Sequence, residues 1–338
     1  MRVISFILTT CVSLAVASKS PCIELNDGNK MPIVALGTGR GTASENANVD
    51  EVRHAVYWAI EAGYRHIDTA AIYFDETQVG QGIADAIANN LVTREELFIT
   101  TKLWNDKHHR EQVVPALKES LQKLGLDYVD LYLIHFPIAV KADGSPDDVD
   151  YLETWQGMEE ARELGLTRSI GVSNFNASQV DRVIAHSKVC PVVNQIEVNP
   201  TNTQEELVAH CQERGVAVMA YSPFGFLVSR NKPNAPPPRA DDPVLVEMAK
   251  KYKKTTSQIV LRYLIDRGLV PVPKSANKNR IVQNIDLFDF SLTPEEVQQI
   301  NKFNKNWTVT PFQEDLHRAR LHPERRCHQL RLLFLPRV

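Results

Sequence analysis

The 338-residue sequence has few cysteines and no excess of basic residues. Its five cysteines form no C-x-x-C pair and no zinc-ligand spacing, so they indicate neither a redox motif nor a zinc site. We therefore expect no bound metal. The formal net charge is −3, and charges of both signs are mixed along most of the chain, so we expect no nucleic-acid-binding surface.

Long hydrophobic runs and phosphate-binding motifs are also missing. Beyond the N-terminus no stretch of 18 apolar residues occurs, so we expect no membrane span in the mature chain. No G-x-x-x-x-G-K-[ST] sequence occurs, which argues against a P-loop site. The sequence GTGRGT at 37–42 has Thr42 in place of the third glycine of a dinucleotide-binding motif, and no helix is predicted there. A doubly wound dinucleotide fold is therefore disfavoured.

The first residues, MRVISFILTTCVSLAVAS, resemble a secretory signal peptide. Arg2 precedes an apolar run from Val3 to Val16, and Ala15-Val16-Ala17 fits a small-x-small cleavage site. We predict that residues 1–17 are removed and that the protein is secreted. A buried N-terminal strand or a short anchor is the alternative, and a cytoplasmic location would follow if no signal is cleaved.

Eight short apolar segments alternate with segments of helical spacing. The predicted strands are IVALG (33–37), YRHID (64–68), LFITTK (97–102), VDLYLIHF (129–136), TRSIGVS (167–173), VVNQIE (192–197), VAVMAYS (216–222) and LVPVPK (269–274). The predicted helices cover 49–63, 76–90, 110–125, 151–164, 177–187, 204–215 and 256–268. Such alternation indicates parallel βαβ units, and eight of them in about 240 residues predict an α/β (β/α)8 TIM barrel.

Further elements complete this prediction. CIELNDGNKMPI (22–33) reads as an N-terminal β-hairpin around Asp27-Gly28. The proline-rich segment 225–242 is predicted to be a large loop over the barrel mouth. We assign the barrel to 18–316 and a divergent tail to 317–338, which has six arginines and one acid, Glu324. That tail could be a flexible basic appendage, an alternative exon or a frame-shifted end.

Four titratable residues follow adjacent predicted strands. Asp68, Lys102 and His135 end strands two, three and four, and Tyr73 lies in the loop after strand two. The carboxyl ends of barrel strands face one mouth, where active sites lie. Taken singly, each residue also has a structural explanation: a turn cap, a surface charge, a core histidine and a packing tyrosine. Together they predict a paired, buried constellation, because isolated charges are costly to bury.

The spacing of these four residues resembles the catalytic tetrad of the aldo-keto reductases. The strings GYRHIDTAAIY, ITTKLW, LYLIHFP, RSIGVSNF, NQIEVNP, AYSPFG and PVPKS…NR support the resemblance, which runs from about Cys22 to Phe312. It implies NADPH-dependent reduction of an aldehyde or ketone. Tyr73 would donate the proton, Lys102 would lower the pKa of Tyr73, Asp68 would hold Lys102, and His135 would orient the carbonyl oxygen.

The resemblance also implies a set of cofactor contacts. Ser173, Asn174 and Gln195 would bind the carboxamide, Tyr221 would stack on the nicotinamide, and Thr38 and Asp68 would meet its ribose. The pyrophosphate path would be lined by Ser222, Phe224 and Leu227. Lys274, Ser275 and Arg280 would clamp the 2′-phosphate, with Asn284 at the adenine. A lysine and an arginine favour NADPH over NADH. Gln283 departs from the glutamate of many relatives.

The substrate is less well defined than the reaction. Trp104 is expected to form a wall of the pocket, or alternatively to pack at its rim. His135 stands where some steroid double-bond reductases carry glutamate, which favours carbonyl reduction. A secreted member resembles the insect enzymes that reduce 3-dehydroecdysone. General aldehyde or sugar reduction is the alternative, and a cofactor-binding barrel without catalysis is a second one.

We expect a monomer that acts on a small-molecule carbonyl compound. Two glycosylation sequons occur, Asn176-Ala-Ser and Asn306-Trp-Thr. Asn176 sits beside the predicted nicotinamide contacts, and we interpret it as a helix N-cap.

Overall fold

The computed structural model describes residues 20–39, 50–228 and 234–309. The predicted signal peptide at 1–17 and the tail at 317–338 lie outside these residues, as does part of the loop at 225–242.

The N-terminal hairpin closes one end of the molecule. Its strands, Cys22–Glu24 and Lys30–Pro32, pair antiparallel. Gly28 at the turn has φ +84°, a left-handed conformation that costs glycine little, and its N–H donates to Leu25 O at 2.9 Å. The predicted hairpin is confirmed.

Eight parallel strands form the barrel. They are β1 (Leu36–Gly37), β2 (His66–Asp68), β3 (Phe98–Leu103), β4 (Val129–Ile134), β5 (Thr167–Ser173), β6 (Val193–Glu197), β7 (Ala217–Tyr221) and β8 (Val270–Val272). Each pairs with the next along the chain. The ring closes where Gly37 bridges Lys274 in parallel and donates its N–H to Pro273 O at 3.0 Å. The predicted (β/α)8 barrel is confirmed.

Ten α-helices surround the described barrel. They are α1 (Glu51–Ala62), α2 (Glu76–Ala88), α3 (Arg110–Leu124), α4 (Tyr151–Glu163), α5 (Ala177–His186), α6 (Glu205–Glu213), α7 (Pro243–Tyr252), α8 (Thr256–Asp266), α9 (Lys278–Ile285) and α10 (Pro294–Asn301). All seven predicted helices are present. Three further helices, α7, α9 and α10, were not predicted. Both α7 and α10 begin with proline after an Asp or Thr cap, which is a recognisable start signal.

Two hydrophobic layers follow from the alternation of side chains along each strand. In β4, Leu131 and Leu133 point into the barrel, while Tyr132 and Ile134 face the helices. The inner cluster also contains Met31 of the hairpin. The hairpin therefore seals the end of the barrel opposite the carboxyl ends of the strands.

The same alternation carries Lys102 into the barrel. Phe98 shares the inward face of β3 with Thr100 and Lys102, whereas Ile99 and Leu103 belong to the outer layer. Below Lys102, His66 contacts Thr100 Oγ1 at 2.9 Å. The inward face of β3 thus changes from apolar at Phe98 to polar at Lys102. Lys102 is the last inward residue of the strand and lies at the barrel mouth.

None of the helices in the described residues is long and apolar enough to cross a membrane.

Candidate active site

Lys102 is the centre of the site and is completely buried. Its Nζ donates to Asp68 Oδ1 at 2.7 Å and to Thr69 O at 2.9 Å. A third, longer hydrogen bond of 3.4 Å reaches the Tyr73 hydroxyl. The structure therefore brings three of the four predicted residues into direct contact, and the surface-charge explanation of Lys102 is wrong.

Asp68 connects Lys102 to the opposite side of the barrel. Its Oδ2 accepts a hydrogen bond of 2.7 Å from Gln195 Nε2, so both carboxylate oxygens are engaged. Burial disfavours the charged form of Lys102, but Asp68 and Tyr73 outweigh that effect and the pKa of Lys102 is raised. Lys102 therefore remains an ammonium ion at neutral pH.

The pKa of Tyr73 corrects one expectation. Burial raises the pKa of the Tyr73 phenol, Lys102 lowers it, and the Asp68 carboxylate raises it again. The net result is a raised pKa, not the lowered one expected from the ammonium neighbour alone. The physical reason is that a buried phenolate loses its hydration, and the partner of Lys102 offsets part of the lysine's charge.

His135 lies beside Tyr73 in an aromatic enclosure. Its ring centroid is 5.7 Å from that of Tyr73 and 5.2 Å from that of Trp104, both edge to face. It also stacks on Phe136. Burial, together with the Lys102 charge, holds the pKa of His135 well below its usual value. The imidazole is therefore neutral and can offer one N–H donor at the mouth.

The predicted carboxamide-binding residues form one hydrogen-bonded group. Asn174, at φ +63°, donates through Nδ2 to His135 O at 2.9 Å and accepts from the Tyr221 hydroxyl at 2.8 Å. Ser173 Oγ donates to Gln195 O at 2.8 Å. Gln195 Oε1 has no hydrogen bond among the described residues, so it can accept from an amide N–H.

The predicted phosphate-binding residues lie on the rim. Lys274 is exposed and follows β8, and among the described residues the one side-chain partner of its Nζ is Glu51, at 3.5 Å. Arg280 is exposed in the first turn of α9, and its guanidinium makes no hydrogen bond within the described part of the chain. Ser275 and Asn284 are buried near them in sequence. Two cations with little competing charge suit a phosphate group.

The remaining cofactor positions lie at two loops. Thr38 follows β1, where its N–H donates to Asp68 O at 3.0 Å. Beyond β7, Ser222 has φ +48° and accepts from Gly225 N–H at 3.0 Å, while Leu227 N–H donates to Phe224 O at 2.9 Å. This turn begins the 225–242 loop at the barrel mouth.

Several polar residues around the tetrad were not predicted from sequence. Buried Asp75 accepts hydrogen bonds from Thr69 Oγ1 at 2.8 Å and from Thr38 Oγ1 at 3.3 Å. It thereby joins β1, β2 and the Tyr73 turn. An acid two residues after the tyrosine, at the start of a predicted helix, was the available signal. Buried Asn105 and His108 were also missed.

Asn176 is an N-cap, as predicted. Its Oδ1 accepts from Gln179 N–H at 2.9 Å and from Ser178 Oγ at 2.8 Å.

Elsewhere on the surface, potential ligand atoms of His109, Glu111 and Glu153 lie within 4.8 Å of one another. Exposed groups of this kind are common without an ion and carry no metal assignment.

The barrel fold and the arrangement of Asp68, Tyr73, Lys102 and His135 at its mouth together indicate an oxidoreductase. The chain matches the model of the Aldo/keto reductase family over residues 34–305, and it belongs to that family. It is 74% identical over 293 residues to aldo-keto reductase AKR2E4 of Bombyx mori, covering 87% of this chain and 95% of that protein. It is 41% identical over 298 residues to aldo-keto reductase family 1 member A1 of Homo sapiens, covering 85% of this chain and 90% of that protein.

Solved structures agree with this assignment. The crystal structure of Bombyx mori AKR2E4 in complex with NADP has a TM-score of 0.86 at 73% identity, covering 89% of this chain and 97% of that one. The structure of AKR2E5 complexed with NADPH has a TM-score of 0.84 at 42% identity, covering 86% and 90%.

Because Lys102 and Asp68 form a buried ion pair, substitutions at the two positions should affect the free energy of unfolding and the turnover differently. Lys102→Met leaves the Asp68 carboxylate without its counter-ion and should destabilise the protein by about 3–5 kcal/mol. Adding Asp68→Asn removes the stranded charge and should restore most of the stability, but not turnover. Urea unfolding at neutral pH measures the first effect and carbonyl reduction the second.

Lys278→Met is the matched control, because its 2.6 Å ion pair with Glu61 is solvent-exposed and should contribute only about 0–1 kcal/mol. A double variant that is less stable than Lys102→Met would contradict the explanation.

Proposed function

We propose that this protein reduces an aldehyde or ketone to an alcohol with NADPH, using Tyr73 as the proton donor. The observation that carries the proposal is the contact of Lys102 Nζ with both Asp68 Oδ1 and the Tyr73 hydroxyl, at 2.7 and 3.4 Å. This arrangement places an acid, its stabilising cation and the partner of that cation at one barrel mouth. When bound, NADPH supplies the hydride.

Each residue of the tetrad has a distinct task in this proposal. Tyr73 transfers its hydroxyl proton to the carbonyl oxygen as negative charge develops there. Lys102 stabilises the resulting phenolate, and Asp68 keeps Lys102 charged and in place. Neutral His135 donates a hydrogen bond that orients the carbonyl oxygen. Trp104, which stands edge to face against His135, forms a wall of the substrate pocket.

The residues present fit the cofactor. Gln195 Oε1 is an available acceptor, and Ser173 and Asn174 supply the polar surroundings of a carboxamide. The Tyr221 ring is held by its hydroxyl bond to Asn174. Lys274 and Arg280 offer two exposed cations for a 2′-phosphate, with Ser275 and Asn284 beside them. Structural neighbours were solved with NADP and NADPH, which supports this choice.

We propose a bulky ketone, 3-dehydroecdysone or another steroid ketone, as the substrate. A histidine at position 135 supports carbonyl reduction. Phe74, beside the proton donor, is 84% exposed, so the rim presents apolar surface to a hydrophobic substrate. General aldehyde or sugar reduction is the competing possibility, and cofactor binding without catalysis is the other.

We also propose secretion after cleavage behind Ala17, as the N-terminal sequence pattern suggests. Expression of the full chain in insect cells should yield protein in the medium whose first residue is Ser18, as measured by mass spectrometry. Retention of Met1 in a cytosolic product would contradict this.

Tyr73→Phe should reduce turnover by about 10²–10⁴-fold, the range of general acid catalysis, because the phenyl ring carries no proton to donate. Binding of NADPH, measured by fluorescence titration, should be unchanged. Tyr57→Phe on α1 is the matched control and should retain activity. If wild type binds NADPH but reduces no aldehyde, ketone or ecdysteroid, the protein is a binding barrel and not a reductase.

Replacing both Lys274 and Arg280 by methionine should raise the KM for NADPH by about 10²–10⁴-fold, because two charge-assisted hydrogen bonds are lost and each is worth about 1.5–3 kcal/mol. The KM for NADH should hardly change, since NADH has no 2′-phosphate. Lys278→Met, in the same helix as Arg280, is the control. Equal wild-type rates with NADPH and NADH would rule out binding of the 2′-phosphate by Lys274 and Arg280.

A substrate panel decides among the carbonyl compounds. We expect the highest kcat/KM for 3-dehydroecdysone, followed by other steroid ketones, then aromatic aldehydes and open-chain sugars. The apolar rim is the physical reason, because it favours burial of a large hydrophobic substrate. Phe74→Ser should lower kcat/KM for the steroid more than for a small aldehyde. A preference for sugars would refute the steroid assignment while leaving the reductase assignment intact.

A further inference from the structure

Five buried polar atoms, on Asn105, His108 and His135, have no hydrogen-bond partner among the described residues. They are both ring nitrogens of His108, both amide atoms of Asn105, and Nδ1 of His135. Asn105 and His108 are 0% and 1% exposed. Buried polar atoms in native proteins are almost always satisfied, by protein groups or by ordered water.

Strand register places the backbone segments that carry these side chains next to each other. Leu103 pairs with Ile134, and His135 N–H donates to Leu103 O at 3.1 Å. The residues that follow Leu103 therefore run beside His135 and Phe136. Trp104 begins a short 3-10 turn at Asn105–Lys107, and Lys107 N–H donates back to Trp104 O at 3.1 Å. That turn keeps His108 close to the start of the loop.

The backbone of this region is firmly held. Thr154 Oγ1 in α4 donates to His108 O at 2.8 Å, and Asn174 Nδ2 holds His135 O. The side chains cannot easily turn outward to meet solvent. None of the five atoms bonds to another group among the described residues. A charge on His108 would lower the pKa of His135, so the two rings lie close enough to interact, and a bridging water would satisfy atoms that no protein group reaches.

The hydrogen-bonding capacities match a water bridge. Asn105 and neutral His108 together offer three N–H donors and two acceptors, and His135 Nδ1 adds a third acceptor when Nε2 carries the proton. Burial keeps His108 neutral by lowering its pKa to about 3. Water has two donors and two acceptors, and buried water typically makes about three hydrogen bonds.

We propose that Asn105 and His108 are positioning residues that hold at least one internal water against His135 Nδ1 and so fix the Nε2–H tautomer of His135. A water that donates to Nδ1 leaves the proton on Nε2, the nitrogen that would face the carbonyl oxygen. The functional consequence rests on the role proposed above for His135. The water bridge itself does not.

The wild-type protein provides the first test. Nitrogen-15 NMR of histidine-labelled protein, with His135 assigned by comparison with His135→Gln, should show a neutral Nε2–H ring whose Nδ1 accepts a hydrogen bond. A high-resolution crystal structure should show ordered water between His135, Asn105 and His108. A protonated Nδ1, or an absence of water there, overturns the proposal whatever the activity.

Variants provide the second test. Asn105→Leu keeps the side-chain size but removes both polar atoms, and it should lower kcat by about 10–100-fold, as loss of a support to a reactive histidine does. The Kd for NADPH should not change, and NMR should show mixed His135 tautomers. His108→Gln, which retains a donor and an acceptor, should preserve most of the kcat.

Ser187→Ala is the matched control, since it removes a buried hydroxyl that has no partner among the residues the structure describes, at the end of α5. It should leave kcat and the His135 spectrum unchanged. A folded Asn105→Leu protein with wild-type kcat and tautomer overturns the proposal. If that variant fails to fold, the wild-type spectrum and crystal structure decide. Failure of the reductase assignment would show separately, as a wild-type protein that reduces no carbonyl.

Discussion

A buried ammonium ion is the constraint on which the site depends. Lys102 is 0% exposed. A buried ion is unfavourable unless an opposite charge and hydrogen-bond acceptors are well placed around it. Asp68 supplies the charge, and Thr69 supplies a carbonyl oxygen, both from the end of β2. Gln195 then holds Asp68 from β6, on a distant part of the ring. The hydrogen bonds that hold the pair therefore join β2, β3 and β6, so the catalytic geometry depends on the barrel bringing these strands together.

The barrel was predictable because its signals are local and repeated. Apolar runs followed by helical spacing marked all eight strands, and the polar residues at strand ends identified Asp68, Lys102 and His135. The missed helices are short, or lie near proline-rich sequence where a loop was the simpler interpretation. The missed residues are of another kind. Asp75 joins separate loops through its hydrogen bonds with Thr69 and Thr38, and its position after Tyr73 was the one local signal for it. Asn105 and His108 were missed because spacing along the chain does not report that a polar side chain is buried without a partner among the described residues.

The direction of the Tyr73 pKa shift shows why residue types alone were insufficient. An adjacent ammonium lowers a phenol pKa, and that inference from sequence was correct for the single interaction. Burial acts in the opposite sense and is the larger effect. Only the three-dimensional structure reveals that Tyr73 is partly buried and that Asp68 lies close enough to offset part of the lysine charge.

The raised pKa has a chemical logic for a reductase. A proton donor must hold its proton until negative charge appears on the substrate oxygen, and Tyr73 does so at neutral pH because its pKa is raised from the ordinary value of a phenol. Lys102 contributes most after transfer, when the phenolate exists and needs a cation in a medium of low polarity. Alcohol oxidation would require the phenolate at the start, a state that burial disfavours.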